Sequence, residues 1–119
     1  MQMDKAQGHA VALDELLELK PGWDGARAAR PDHDAIHQAR EVVSWFGSGM
    51  PVPSVSPTPG GGVLLRWVVK EREIEVTFRR KGGEYLVATL GDPSPLEDGE
   101  FDQVGDLRHI LIKHVGLAH

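Results

Sequence analysis

The sequence predicts a single α+β domain over residues 1–119, with two N-terminal helices, a three-stranded antiparallel β-meander and a C-terminal helix. Two observations predict this class. The central stretch alternates apolar and polar residues, as strands with one buried face do, whereas the flanking stretches repeat apolar residues every three to four positions, as amphipathic helices do. We therefore expect all the helices to pack on one face of the sheet.

The centre of the predicted sheet is a β-hairpin. Residues 63–69 and 72–78 are rich in β-branched and aromatic residues, and Lys70-Glu71 separates them as a two-residue turn. Side chains alternate between the faces of a strand, so antiparallel pairing places one apolar set on a common buried face. That set, on which the helices should pack, includes Trp67, Ile74, Val76 and Phe78.

Two helices are predicted before the hairpin. Residues 1–9 lack periodicity and should be flexible, residues 10–20 form the first amphipathic helix, and Pro21-Gly22 ends it. Trp23, in the turn that follows, is expected to close one edge of the core, since so large a ring is seldom left in water. The second helix should begin at about His33 after the N-cap Asp32 and end at about residue 47.

The remaining elements follow from turn residues and periodicity. A proline- and glycine-rich connector spans residues 50–62, with a possible short extra edge strand over 53–56. Residues 84–90 form the third strand, although its buried face stays open. Residues 91–102 are predicted to be an acidic loop, and the last helix should run from about Phe101 to His114.

Composition limits the function. The formal net charge of −5 argues against nonspecific binding to nucleic acid or anionic membranes, and the absence of cysteine removes thiolate nucleophiles, disulfides and cysteine zinc sites. The first residues show no charged start followed by an apolar run, and no stretch is long and apolar enough for a transmembrane helix. We expect a cytoplasmic protein.

Two kinds of chemistry stay open as alternatives. His33 and His37 lie four residues apart on a predicted helix and could join Asp24 in a metal site or a small active site. The basic residues of the hairpin region could instead contact nucleic acid, although glutamates interleave with them and few aromatic residues are available for stacking. No recognised catalytic or cofactor motif is present, so we assign no catalytic, cofactor-binding or metal-binding residue.

Two short signatures carry a resemblance to a protein family. Gly22-Trp23-Asp24-Gly25 is followed by Pro57-Thr58-Pro59-Gly60-Gly61, which leads into the hairpin. In this combination, over roughly residues 13 to 80, the chain resembles a group of small uncharacterised bacterial proteins with GWDG and PTPxGG signatures. The resemblance implies the helix, helix and meander order, and it implies no activity.

The leading hypothesis for function is a noncatalytic protein-binding module of a bacterial or mobile-element system, of the inhibitor, antitoxin or anti-defence type. A protein partner or a homodimer is expected, rather than a membrane, a nucleic acid or a metal. The hypothetical partner surface joins the solvent-facing side of the hairpin to the acidic loop. Its residues are Leu64, Arg66, Val68, Glu73, Glu75, Asp92, Glu97, Asp98, Glu100 and Asp102.

Overall fold

The computed structural model describes residues 31–46, 51–92 and 94–116. In this part of the chain one helix precedes a five-stranded antiparallel sheet, and a 3-10 turn and a second helix follow it. The strands lie in the order β1-β2-β3-β4-β5, so each strand pairs with its neighbours in sequence. The elements are α1 (His33–Ser44), β1 (Ser54–Pro57), β2 (Val63–Val69), β3 (Arg72–Phe78), β4 (Gly83–Thr89), β5 (Pro95–Phe101), the 3-10 turn (Val104–Leu107) and α2 (Arg108–His114).

The predicted hairpin is confirmed in its register. Val69 lies opposite Arg72, which leaves Lys70-Glu71 as the two-residue turn. Lys70 adopts a left-handed φ of 58°, which the tight reversal of the chain requires. Because directly paired residues share a face, this register puts Trp67 opposite Ile74 on the buried side.

The predicted three-stranded sheet is wrong, because two further strands extend it. The short edge strand β1 pairs with β2 and corresponds to the possible extra edge strand predicted over 53–56. β5, which was not predicted, occupies most of the stretch predicted as an acidic loop. β5 has weak intrinsic strand propensity, but β4 supplies a row of backbone partners for it. Phe101, at the end of β5, is 6% exposed and meets Phe78 edge to face at 5.7 Å between ring centroids.

The helices also differ from the prediction. Of the two predicted N-terminal helices, the described residues contain one, α1. The predicted helix over 10–20, the predicted flexible residues 1–9 and the turn at Trp23 lie outside the described residues. α1 begins at His33 as expected, since the Asp32 carboxylate accepts the N–H of Asp34 at 2.8 Å, but it ends at Ser44. The last helix starts only at Arg108, because Phe101 belongs to β5.

Both described helices contribute to one core on one side of the sheet. Ile36, Val42 and Val43 of α1 and Ile110 and Leu111 of α2 are buried with the inward residues of the strands. In β4 the inward side is that of the fully buried Val87, which answers the question that the sequence left open. The opposite side of the sheet receives no side chain from either helix in this core.

Candidate functional site

The sheet face opposite the helices is the main candidate for a functional surface, and we call it the open face. Its members follow from the strand registers, since residues that pair directly point to the same side. They are Ser54, Ser56, Leu64, Arg66, Val68, Glu73, Glu75, Thr77, Glu84, Leu86, Ala88, Pro95, Asp98 and Glu100.

Apolar side chains on the open face remain in contact with solvent. Val68 is 46% exposed, and Leu64 and Leu86 are half-buried, whereas their inward neighbours Leu65 and Trp67 are fully buried. None of the described helices or strands covers these side chains. Aliphatic surface between charged residues is typical of a modest recognition surface, although single exposed aliphatic residues also occur on ordinary surfaces.

The open face is strongly acidic. It carries five carboxylates against Arg66 and against Arg79, which pairs with Glu84 from just beyond the end of β3, so the formal excess is three negative charges. The Arg66 guanidinium binds the Glu73 carboxylate and lies 3.6 Å from that of Glu75. Asp98 and Glu100, both exposed, have no ion pair within the described ranges of the chain. The free negative charge is therefore concentrated on β5.

A shallow cavity of about 380 Å³ lies on the acidic part of the open face. Leu86 lies among its lining residues, together with the carboxylates of β3, β4 and β5. The aliphatic part of a long side chain could contact Leu86 while its polar end reached a carboxylate. The cavity is therefore suited to a long cationic side chain better than to an anion.

The structure divides the predicted partner residues between the open face and other places. Seven of them share the open face, namely Leu64, Arg66, Val68, Glu73, Glu75, Asp98 and Glu100. Glu97 points to the helix side instead, because it pairs with the inward-facing Val87. Asp92 lies in the β4–β5 turn, where its carboxylate accepts the N–H of Ser94 at 2.9 Å, and Asp102 is exposed just after β5.

Glu97 belongs to a charged cluster that the sequence did not indicate. Its carboxylate lies 2.8 Å from Nε2 of His114 and 3.4 Å from Nζ of Lys113, while the Arg72 guanidinium lies 3.1 Å from Nδ1 of the same histidine. A guanidinium can only donate, so Nδ1 accepts and Nε2 carries the proton that is donated to Glu97. Both ring nitrogens are thus occupied, and the cluster fastens the end of α2 to β3 and β5.

The electrostatics of this cluster agree with its geometry. The hydrogen bond from His114 lowers the pKa of Glu97 below its ordinary value; burial opposes this effect, and Lys113 adds to it. The His114 side chain is only 5% exposed, so its ring is poorly accessible to a substrate. The arrangement therefore resembles a structural attachment more than an acid-base catalyst.

The sequence-derived metal and active-site residues do not form a site in the described part of the chain. His33 and His37 are both exposed on α1, and Asp24 lies outside the described residues. Among residues 31–46, 51–92 and 94–116, no group of three histidine, aspartate or glutamate side chains could hold a metal ion. No described helix is long and apolar enough to cross a membrane.

Several cations of the hairpin region are engaged in ion pairs. Arg79 pairs with Glu84 at 2.8 Å, and Arg80 pairs with the N-cap carboxylate of Asp32 at 3.1 Å. Burial alone would raise the pKa of Asp32. Hydrogen bonds from Arg80 and from backbone N–H groups outweigh this effect, so the pKa of Asp32 lies below its ordinary value. Because Arg66 is also paired, these arginines do not form a free basic patch.

A second contact missed by the sequence joins α1 to the β3–β4 turn. The Gln38 amide donates to the carbonyl of Arg79 at 2.7 Å and to that of Arg80 at 3.2 Å, and its oxygen accepts the N–H of Gly82 at 3.0 Å. A glutamine in a helix gives no signal of a contact 44 residues away. The contact holds the β3–β4 turn, at one end of the sheet, against α1.

Comparisons with protein-family models, curated proteins and solved structures return no match for this chain.

Proposed function

We propose that this protein is a noncatalytic protein-binding module that docks its partner on the open face. The observation that carries the proposal is the exposure of Val68, with Leu64 and Leu86 half-buried, on a sheet face that none of the described elements covers. Association would remove this apolar surface from water, while the surrounding charged residues would select the partner. Inhibitors, antitoxins and anti-defence proteins are the types that we consider first.

The size of the face supports a small interface. Four seven-residue strands spaced about 4.8 Å apart, with a rise of about 3.3 Å per residue, cover roughly 20 Å by 23 Å in projection. A standard interface buries about 800 Å² of accessible surface per partner. The open face could supply much of that area, and Asp92 in the adjoining β4–β5 turn lies where a partner could extend the contact.

The alternatives have less support. An acid-base site would need a histidine with a free nitrogen in a sheltered position. Among the described histidines, His114 has both nitrogens engaged, and His33, His37 and His109 are exposed. Binding of nucleic acid through the hairpin would place phosphates against the excess carboxylates of the open face. Neither function uses the exposed apolar surface.

Two matched double variants test the proposed function. Val68→Lys with Asp98→Lys changes one aliphatic residue and one carboxylate on the open face, and Leu90→Lys with Glu71→Lys makes the same changes at exposed positions off this face. A protein captured from a host lysate would be identified, purified and titrated calorimetrically against the wild type and both variants.

We expect the open-face variant to weaken binding at least tenfold, with an unchanged circular-dichroism spectrum, and the control to bind within twofold of the wild type. Equal binding by both folded variants would place the partner surface elsewhere and contradict the proposed function.

A further inference from the structure

We infer that the partner of the open face presents a basic protein surface, with arginine or lysine side chains directed at the carboxylates of β3, β4 and β5. This inference rests on the proposed function and specifies its partner. With Arg66 and Arg79 counted, the face has a formal excess of three negative charges, against a net charge of −5 for the whole chain. The charge of the protein is thus distributed unevenly, as electrostatically complementary interfaces require.

The same charges disfavour a second copy as the occupant. Two open faces in contact would bring ten carboxylates together with four guanidinium groups, those of Arg66 and Arg79. Each of these is already engaged within its own chain, Arg66 by Glu73 and Arg79 by Glu84. Juxtaposed like charges oppose association, most strongly where water is excluded. A cationic partner avoids this repulsion and pairs the free carboxylates.

The spacing of the carboxylates favours long cationic side chains. Asp98 and Glu100 are two residues apart on the same side of β5, so their Cα atoms lie about 6.6 Å apart. The adjacent β4 lies about 4.8 Å away and carries Glu84, which Arg79 already pairs, opposite Glu100. Leu86 lines the cavity between these carboxylates. An arginine could place its aliphatic stem on Leu86 and bind a carboxylate with its planar guanidinium.

The test uses a defined cationic probe. The peptide acetyl-(Arg-Ala)5-amide places its arginines on one side when extended, and acetyl-(Gln-Ala)5-amide is its uncharged match. Each peptide is titrated into the full-length protein at low and at physiological salt. Binding is followed by the methyl NMR signals of Val68 and Leu86, and sedimentation of the free protein reports any self-association.

Two charge-matched variants locate the binding. Asp98→Asn with Glu100→Gln removes two carboxylates from the open face, and Glu41→Gln with Glu71→Gln removes two exposed carboxylates from elsewhere. Both variants change the net charge equally, so a long-range effect of charge would weaken them equally. We expect the arginine peptide to shift both methyl signals, to bind at least fivefold more weakly to the open-face variant, and to bind within twofold of wild type to the control.

Three results would overturn the inference. Equal weakening of both variants would show attraction by net charge, equal binding of the glutamine peptide would show apolar recognition, and a stable dimer that protects the same methyl groups would show that a second copy occupies the face. A different result would contradict the proposed function, namely partner binding that is unchanged in the variant Val68→Lys with Asp98→Lys. The two failures are therefore distinguishable, because the partner could be uncharged and still dock on the open face.

Discussion

Replacement of Gln38 by alanine should destabilise the protein, because its side chain connects α1 to the β3–β4 turn. The loss that matters most is the acceptor for the N–H of Gly82, a buried residue with a φ of 71°. Arg79 and Arg80, whose carbonyls accept from Gln38, are exposed residues, so water can replace the lost donor there.

The magnitude follows from these three bonds. A buried N–H without an acceptor costs about 1–3 kcal/mol, and loss of the two carbonyl contacts adds a smaller amount. Alanine returns a few tenths of a kcal/mol through its higher helix propensity. We therefore expect Gln38→Ala to lower the free energy of unfolding by about 2 kcal/mol. Gln38→Glu keeps an acceptor for Gly82 and should cost less than half as much.

Urea denaturation at pH 7 measures the free energy of unfolding, and amide hydrogen exchange reports on the N–H of Gly82 directly. His37→Ala, an exposed change on the same helix, is the control and should cost less than about 0.5 kcal/mol. The reasoning is refuted if Gln38→Ala is as stable as this control and the Gly82 amide keeps its protection. Equal costs for alanine and glutamate would show that the donated bonds dominate.

Three further predictions concern other contacts. His114 lowers the pKa of Glu97, so this contact stabilises the fold fully above the ordinary glutamate pKa and progressively less as pH falls through the lower pKa of the folded state. The free energy of unfolding of Glu97→Gln should therefore fall less than that of the wild type between neutral and acidic pH. Gly83→Ala should cost about 3 kcal/mol or more, because its Cβ would overlap the backbone oxygen of Thr77 in β3. Gly60→Ala, with open space around it, should be tolerated in the same denaturation assay. Stoichiometric zinc should leave the melting temperature unchanged, and a rise of several degrees that His37→Ala abolishes would contradict this.

The hairpin and α1 could be predicted because their signals are local. Residues 73–78 alternate strictly between polar and apolar, and the strand that they belong to faces residues 63–69 across a two-residue turn, so register and buried face follow from the period of the strand. Asp32 identifies the start of α1, because an N-cap acts on N–H groups only two or three residues away. The five hairpin residues of the hypothetical partner surface share the open face for the same reason, since alternation along a strand assigns them to one side.

β5 could not be predicted, because its sequence favours a loop. Glu97-Asp98-Gly99-Glu100 has low strand propensity and no apolar alternation, and it becomes a strand by bonding to the free edge of β4. Assignment of these residues to a loop also displaced the start of the last helix and concealed the orientation of Glu97 toward His114.

The sequence by itself determined the central hairpin, its buried face and the helix that follows Asp32, because each depends on residues close together in the chain. Only the tertiary structure decided the width of the sheet, the attachment of α2 through His114 and the contact of Gln38 with the β3–β4 turn. These features depend on hydrogen-bonding groups far apart in sequence, whose pairing no local periodicity encodes. The acidity of the open face arises in the same way, since β5 adds Asp98 and Glu100 only where it joins the sheet.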